Sequence, residues 1–336
     1  MSDVITYPFT AIVGQEEMKL ALLLNLINPL LGGVLIRGEK GTAKSTAVRG
    51  LVDLLDQVEV ISGCPYHCRI NEGHLCPECS QIKNPDAETY RRKVVELPIN
   101  ATDDRVIGSL NLERAIQKGE KSFEPGILAD ANGNILYVDE VNLLDDHIVD
   151  VLLDSAAMGI NTVEREGISH THPSRFVLVG TMNPEEGDIR PQLLDRFGLV
   201  VEVVGEQDPK LRSELIRRRL DFEASPEAFA QKWQSEQDAI ALSIKKARET
   251  LENITIPDAL YMDAAKIGIA LKVDGHRADI TLLKAAQTLA AFEGDKKVKR
   301  EHLKKAAGLV LPHRMRKLPF DKASDILPDD IEALLA

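Results

Sequence analysis

Hydrophobic residues in the first 205 positions form short runs, separated by longer stretches with helical spacing. Such runs are typical of strands that are buried on both faces of a parallel sheet. We predict five of them, at residues 34–37, 93–97, 135–138, 176–180 and 199–204. Because helical segments separate these runs, the pattern predicts an α/β fold with a five-stranded parallel sheet. Residues 20–31 predict a core-facing helix ahead of the first strand.

The pattern changes near residues 205–209. Beyond them the strand-like runs disappear, and Ala, Leu, Lys and Glu recur with helical spacing. We therefore predict an α/β domain over residues 1–205 and an all-α lid of four to five helices over residues 206–336.

Three insertions interrupt the predicted sheet, namely a cysteine-rich segment at 62–82 and further segments near 98–133 and 155–174. In the third, residues 160–170 alternate and turn like a β-hairpin. The inserts are candidates for contact with a partner protein, and simple loop decoration is the alternative.

Residues 38–45 read G-E-K-G-T-A-K-S, between the apolar run at 34–36 and a stretch at 46–55 that can be helical. A strand, a loop of small residues and a helix N-terminus together form a phosphate-binding loop. Lys44 can reach the terminal phosphates of a nucleotide, and Ser45 can ligate Mg²⁺. The second glycine of the general motif is replaced by Ala43. The predicted nucleotide-binding residues are Gly38, Glu39, Lys40, Gly41, Thr42, Ala43, Lys44, Ser45 and Thr46.

Two more predicted strands end in polar residues. Asp139 and Glu140 follow the apolar run at 135–138, and Asn183 follows the run at 176–180. Open α/β sheets bind ligands at the carboxyl ends of their strands. We predict that Asp139 holds the Mg²⁺ shell, that Glu140 polarises the attacking water, and that Asn183 orients this water or contacts the γ-phosphate.

These three strand ends together resemble the AAA+ ATPases. Asn183 corresponds to the sensor 1 residue of that family. The segment L-L-D-R-F-G at 193–198 looks like the one that carries an arginine finger, which would be Arg196. Arg277, at the start of a helical stretch, is similar to a sensor 2 arginine. The resemblance implies that these three residues act in ATP hydrolysis.

A closer resemblance covers residues 7–318 and is carried by several strings, among them Y-P-F-T-A-I-V-G-Q at 7–15, F-E-P-G at 123–126, V-D-E-V-N at 138–142 and T-M-N-P-E-E-G at 181–187. The sequence resembles the I subunits of magnesium chelatases, and Ala43 also fits their loop. This resemblance implies an ATP-hydrolysing motor that forms a ring, expected to be a hexamer. It also implies D-type and large porphyrin-binding H-type partner subunits, and Mg²⁺ insertion into protoporphyrin IX in (bacterio)chlorophyll biosynthesis and photosynthesis.

Two other classes of function remain open at this point. The same nucleotide motifs would suit a cobalt chelatase or an ATPase chaperone that inserts another metal cofactor. A zinc-bearing helicase or a nucleotide-gated scaffold is a third alternative. The excess of 53 acidic over 41 basic residues disfavours the helicase, and the intact Glu140 disfavours the scaffold.

All four cysteines lie within residues 64–79, as Cys64, Cys68, Cys76 and Cys79. Four clustered thiols in a reducing compartment more often bind metal than form disulfides. The spacing favours zinc, with His67 or His74 as alternate ligands. An iron–sulfur cluster and a thiol–disulfide switch are the alternatives.

Composition restricts the partners and the compartment. The chain has 336 residues, 44% of them hydrophobic, and a net charge of −12. The acidic balance predicts no nucleic-acid partner. We see no secretory signal, and the apolar run at 20–31 is too short to cross a bilayer, so we expect a cytoplasmic protein without membrane insertion.

Overall fold

The computed structural model describes residues 5–70, 73–110, 123–165, 168–273 and 275–315. Its strands are β1 (Val34–Gly38), β2 (Val58–Ile61), β3 (Ala87–Tyr90), β4 (Val94–Leu97), β5 (Ser109–Leu110), β6 (Phe123–Glu124), β7 (Ile135–Val138), β8 (Ile160–Arg165), β9 (Ile168–Pro173), β10 (Val177–Met182) and β11 (Leu199–Val203). Its α-helices are α1 (Glu16–Ile27), α2 (Lys44–Gly50), α3 (Asp103–Ile107), α4 (Ile127–Asp130), α5 (Asp146–Met158), α6 (Pro191–Leu194), α7 (Pro209–Ala224), α8 (Pro226–Thr250), α9 (Asp258–Ala270), α10 (Arg277–Glu293) and α11 (Arg300–Val310).

Five of the strands form the main sheet, in the order β11–β1–β10–β7–β4, and every neighbouring pair is parallel. Strand β1 lies between β11 and β10, and its Val34 pairs with Val179 on one side and with Leu199 on the other. The predicted five-stranded parallel sheet is confirmed. The strand bounds differ by a few residues, most at β10, which continues two residues beyond the predicted end.

Alternate residues of the strands enter two different cores. Val34 and Ile36 face one core and Leu35 faces the other, as expected for a strand whose successive side chains point to opposite faces. Helix α1 and the helices after residue 226 cover the first face. Helix α5 covers much of the second face with residues such as Leu152. With both faces buried, the strands need no polar side, which explains their continuous apolar sequence.

The region after the sheet is helical, and the predicted all-α lid is confirmed by the five helices α7 to α11. Helix α10 is buried along one side and packs against α8, α9 and α11. Its Thr288 Oγ1 accepts a hydrogen bond from Asn28 Nδ2 at 3.1 Å, which ties it to the end of α1. The boundary between residues 205 and 206 stays a prediction. Strands give way to helices between Val203 and Pro209.

The predicted insertions contain small two-stranded elements. Strands β8 and β9 pair antiparallel as the predicted hairpin, whose residues 166 and 167 lie outside the described residues. The insertion near 98–133 contains α3, the short β5–β6 pair and α4, and its residues 111–122 also lie outside the described part. The antiparallel pair β2–β3, which flanks the cysteine-rich segment, was not predicted.

Helix α2 is shorter than the helical stretch expected at 46–55. It ends at Gly50, and a 3₁₀ turn follows at Val52–Leu54. A Cβ atom on Gly50 would lie 2.9 Å from the carbonyl oxygen of Tyr7, so the N-terminal segment passes directly against the end of this helix. In the described part of the chain, no helix is both long and apolar enough to cross a membrane.

The packing of α1 and of the 3₁₀ turn that follows it predicts different costs for two leucines. Leu22 is fully buried against the sheet, whereas Leu30 is 54% exposed. We expect Leu22→Ala to lower the free energy of unfolding by about 2–5 kcal/mol, because it leaves a cavity in the core. Leu30→Ala is the matched control and should cost less than about 0.5 kcal/mol. Chemical denaturation of both variants measures the difference, and equal midpoints would contradict this packing.

Candidate nucleotide site

A cavity of about 770 Å³ opens at the carboxyl ends of β1, β7 and β10. The residues after these three neighbouring strands meet there, as expected at the ligand-binding edge of a parallel sheet. Most of the predicted site residues line it: Lys40, Gly41, Thr42, Ala43, Lys44, Ser45, Thr46, Asp139, Glu140 and Asn183. Gly38 and Glu39 lead into the loop from β1.

The loop between β1 and α2 depends on two backbone positions. A Cβ atom on Gly38 would lie 2.0 Å from the carbonyl oxygen of Val203, so only glycine lets β1 leave the sheet beside β11. Ala43 adopts the left-handed conformation with φ of 61°, immediately before α2 begins. That conformation costs an alanine about 1 kcal/mol. The departure from the general motif therefore leaves the left-handed turn in place.

Lys44 points into the loop. Its Nζ donates hydrogen bonds to the carbonyl oxygens of Gly38 and of Glu39, the latter at 3.2 Å. Burial lowers the pKa of Lys44, while the charges of Asp139 and Glu140 act in the opposite direction. These weak carbonyl partners leave the ammonium group well placed to bind a phosphate.

The carboxylate of Asp139 is held by two hydroxyl groups from neighbouring strands. Its Oδ1 accepts hydrogen bonds from Tyr137 Oη at 2.9 Å and from Thr181 Oγ1 at 2.5 Å. Thr181 Oγ1 also accepts the backbone N–H of Glu140 at 3.3 Å. Burial raises the pKa of Tyr137, so its hydroxyl stays a donor. These bonds fix the direction of Asp139.

Sequence reasoning missed both hydroxyl residues. Tyr137 stands two positions before Asp139, and Thr181 stands two positions before Asn183, so each shares a strand face with a predicted site residue. That period of two is the signal that could have found them.

Glu140 also adopts a left-handed conformation, with φ of 54°. Its Oε1 lies 3.6 Å from Lys40 Nζ, which forms a second ion pair with Glu186. Asn183 is buried, and its Oδ1 accepts the backbone N–H of Glu185 at 3.2 Å. An acid and an amide therefore flank the phosphate-binding loop on the side of β7 and β10.

The two predicted arginines do not line this cavity. Arg196 forms ion pairs with Asp150 and Asp154 of α5. Arg277 is exposed at the start of α10. Chiefly burial, and also the nearby charge of Arg277, lower the pKa of Arg314 to about 10.

Arg314 contacts the backbone next to Arg196. Its guanidinium donates to the carbonyl oxygens of Phe197 at 2.6 Å and of Asp195 at 3.0 Å. Arg196 lies between these two residues in the chain. Arg314 therefore contacts the residues on either side of Arg196, and neither predicted arginine lines the chain's own cavity.

Two other arginines line the cavity and were missed. Arg212 and Arg219 come from α7. Arg219 Nε donates to Glu223 Oε1 at 2.7 Å, and Arg212 Nη1 to the carbonyl oxygen of Glu206 at 3.5 Å. The sequence of α7 reads as a charged surface helix, so only the tertiary placement reveals these cations beside the site.

The four cysteines lie together at a separate place. The sulfur atoms of Cys64, Cys68, Cys76 and Cys79 are all within 4.8 Å of one another, and none of these cysteines lines the nucleotide cavity. A hydrogen bond with the Cys68 side chain lowers the pKa of Cys64 to about 5.

The two alternate histidine ligands are turned to other partners. The ring of His67 lies 4.3 Å from the ring of Tyr90, and His74 Nε2 is 2.7 Å from an Arg175 nitrogen. Among the described residues the cluster therefore consists of cysteines alone.

Comparison with known families agrees with this architecture. A profile described as an AAA domain of the dynein-related subfamily matches residues 86–197, and one described as an AAA lid domain matches residues 262–334. The crystal structure of a putative ATPase from Cytophaga hutchinsonii is 19% identical, with a TM-score of 0.63. The similarity covers 97% of this chain and 91% of that chain. At this low identity, the similarity to the Cytophaga structure shows the fold alone.

Curated relatives match over nearly the whole chain. A magnesium-chelatase subunit ChlI homolog of Methanocaldococcus jannaschii is 58% identical over 94% of this chain and 87% of its own length. The magnesium-chelatase 38 kDa subunit of Rhodobacter capsulatus is 51% identical, and the magnesium-chelatase subunit ChlI of Synechocystis is 49% identical. Each of these alignments covers 94% of this chain and 90% of the relative's own length.

One solved structure is similar over both full chains. It is a complex between subunits BchI and BchD of magnesium chelatase, based on a cryo-EM reconstruction, and one of its chains is 47% identical with a TM-score of 0.57. The similarity covers 99% of this chain and 100% of that one. The identities and coverage show that this chain belongs to the AAA ATPase family of magnesium chelatase I subunits.

Proposed function

We propose that this protein is the ATP-hydrolysing motor subunit of a magnesium chelatase, which drives Mg²⁺ insertion into protoporphyrin IX in (bacterio)chlorophyll biosynthesis. The observation that carries the proposal is the meeting of Lys44, Asp139 and Glu140 in one cavity at the ends of adjacent strands. An inactive scaffold would not need an acid placed beside the phosphate-binding lysine.

The residues divide the work of phosphoryl transfer. Lys44 binds the terminal phosphates, together with the backbone N–H groups of the loop. Ser45 and Asp139 offer the oxygen ligands that Mg²⁺ prefers, and the ion, when bound, neutralises phosphate charge. Glu140 accepts a hydrogen bond from the attacking water, and Asn183 orients it. Tyr137 and Thr181 keep Asp139 in place through the hydrogen bonds described above.

A ring of subunits, expected to be a hexamer, is part of the proposal. Arg196 and Arg277 lie outside the chain's own cavity, so each would complete the site of a neighbouring subunit. The BchI–BchD complex supports a D-type partner. A large H-type subunit would hold the porphyrin. We expect no nucleic-acid partner, in line with the net charge of −12.

The proposal also covers the cellular location and the metal at the four cysteines. We propose a cytoplasmic location, which the four cysteines support, since none of them forms a disulfide. Zinc, the ion that the cysteine spacing favours, has no role in this phosphoryl transfer, because the cluster lies outside the nucleotide cavity.

Lys44→Ala should weaken ATP binding by about tenfold or more, because the phosphate-facing charge is lost. Lys245→Ala removes an equal charge that pairs with Asp56, outside the cavity, and should leave the affinity unchanged. Calorimetric titration with ATP and Mg²⁺ measures both. Equal affinity in the two variants would count against the loop assignment.

Glu140→Gln should keep ATP binding within about threefold and slow phosphate release by about a hundredfold, because an amide keeps the shape of the acid but cannot polarise water. Glu185→Gln is the control, since Glu185 is close in sequence to Asn183 but does not line the cavity.

The same pair of variants tests which metal ion the complex inserts. With purified D-type and H-type subunits, protoporphyrin IX, Mg²⁺ and ATP, the wild-type protein and Glu185→Gln should support Mg²⁺ insertion, and Glu140→Gln should not. ATP hydrolysis with cobalt insertion and no Mg²⁺ insertion would contradict the magnesium chelatase assignment but would still support the ATPase role.

Arg196→Ala should bind ATP and fail to hydrolyse it. Mixing these subunits with Glu140→Gln subunits should restore part of the activity, because one intact acid and one intact arginine then meet at a shared site. Asp154→Asn removes a carboxylate that pairs with Arg196 but keeps the guanidinium, so it should stay active. If no mixing ratio restores turnover, Arg196 does not act between subunits.

A further inference from the structure

The geometry of the four cysteines points to a structural zinc site that braces the loop between β2 and β3 against the rest of the AAA domain. This inference is independent of the ATPase proposal, because it concerns residues outside the nucleotide cavity. The loop, residues 62–86, is long for a connection between two paired strands.

The sulfur positions fit a tetrahedral metal. Zinc binds thiolates at about 2.3 Å, which places any two sulfurs of a tetrahedral site about 3.8 Å apart. Cys64 Sγ and Cys76 Sγ are 3.9 Å apart, and all four sulfurs lie within 4.8 Å of one another. A disulfide needs about 2.05 Å. The cluster therefore has the dimensions of a metal site rather than those of two bridges.

Backbone amides surround the sulfurs. The N–H of Cys76 donates to Cys68 Sγ at 3.2 Å, and the N–H of Cys79 donates to Cys76 Sγ at 3.4 Å. Such hydrogen bonds stabilise negative charge on ligating thiolates and orient them. Both N–H donors belong to the short C-P-E-C turn at residues 76–79.

The site is closed. Cys68, Cys76 and Cys79 are at most 3% exposed, and Cys64 is partly buried. Four protein sulfurs leave no position for water or substrate, which is the arrangement of structural zinc rather than catalytic zinc.

Apart from the cysteines, the apolar core of the loop is small. Among its described residues Tyr66 is buried with Ile61 of β2 and Ala129 of α4, and Ile70 and Leu75 are partly buried against this cluster. So small a core does not offset the entropy of ordering a segment of this length, so a cross-link through the metal would supply the missing stability.

Tyr66 carries the effect of this bracing to the β8–β9 hairpin. It lies between Cys64 and Cys68, its Oη is 2.9 Å from His170 Nε2, and its ring stacks on His172 at 4.6 Å. The Asn132 side chain donates to the Tyr66 carbonyl oxygen at 2.6 Å. Metal binding thus orders the hairpin insertion as well as its own loop.

Elemental analysis of protein purified without chelator tests the site. We expect one zinc per chain in the wild type and in the control Ser80→Ala, whose side chain only caps a turn within the loop. Cys76→Ser should lose at least about tenfold in zinc occupancy. Iron with acid-labile sulfide would overturn the zinc assignment, and four cysteines found as disulfides without metal would overturn the metal site itself.

A second measurement covers the case in which Cys76→Ser does not fold. Zinc is removed from the wild-type protein with a chelator under reducing conditions, and cobalt(II) is then titrated. A thiolate-to-cobalt absorption band that saturates at one equivalent supports the four-sulfur site, and its absence overturns it.

Hydrogen exchange of the same stripped protein tests the bracing. Amides of residues 62–82 and 168–173 should exchange at least about tenfold faster than in the zinc form, and those of residues 38–46 should not change. Unchanged exchange in residues 168–173 would overturn the link to the hairpin.

Discussion

The burial of an all-parallel sheet on both faces is the constraint on which this structure depends. Val34, Leu35 and Ile36 are completely buried in β1, and the neighbouring strands are nearly so. Parallel strands need crossovers, and the crossover helices must cover both faces. All five strands consequently end at the same edge, which is where the nucleotide cavity forms. The requirement that stabilises the core is therefore also the one that gathers Lys44, Asp139 and Asn183.

The parts of the site that could be predicted are those encoded locally. An apolar run followed by small or acidic residues specifies a strand and the group at its end, so the phosphate-binding loop and the acidic pair could be placed before the fold was known. Arg212 and Arg219 could not be placed in this way, because their position depends on how α7 returns over the loop. The early end of α2 at Gly50 could not be placed in this way either, and in the structure Tyr7 passes directly beside this residue.

The arginines and the cysteines show two further limits of local reasoning. Chain order identifies Arg196 and Arg277 as candidates, but only the structure shows that neither of them lines the chain's own cavity. Spacing predicts that the cysteines can meet. The exclusion of His67 and His74 from the cluster required their contacts with Tyr90 and Arg175. In both cases the missing information is which surface a side chain faces after the chain has folded.

The hydroxyl of Thr181 makes the alignment of two strands part of the chemistry. It joins the side chain of Asp139 and the backbone of Glu140, both at the end of β7, to a residue of β10. If β10 slipped by one residue against β7, every side chain of β10 would turn to the opposite face of the sheet. Asp139 would then lose this hydroxyl partner. A slip of this kind would break up this arrangement even if both strands stayed folded, so the geometry of the proposed catalytic site is only as well defined as the register of the sheet.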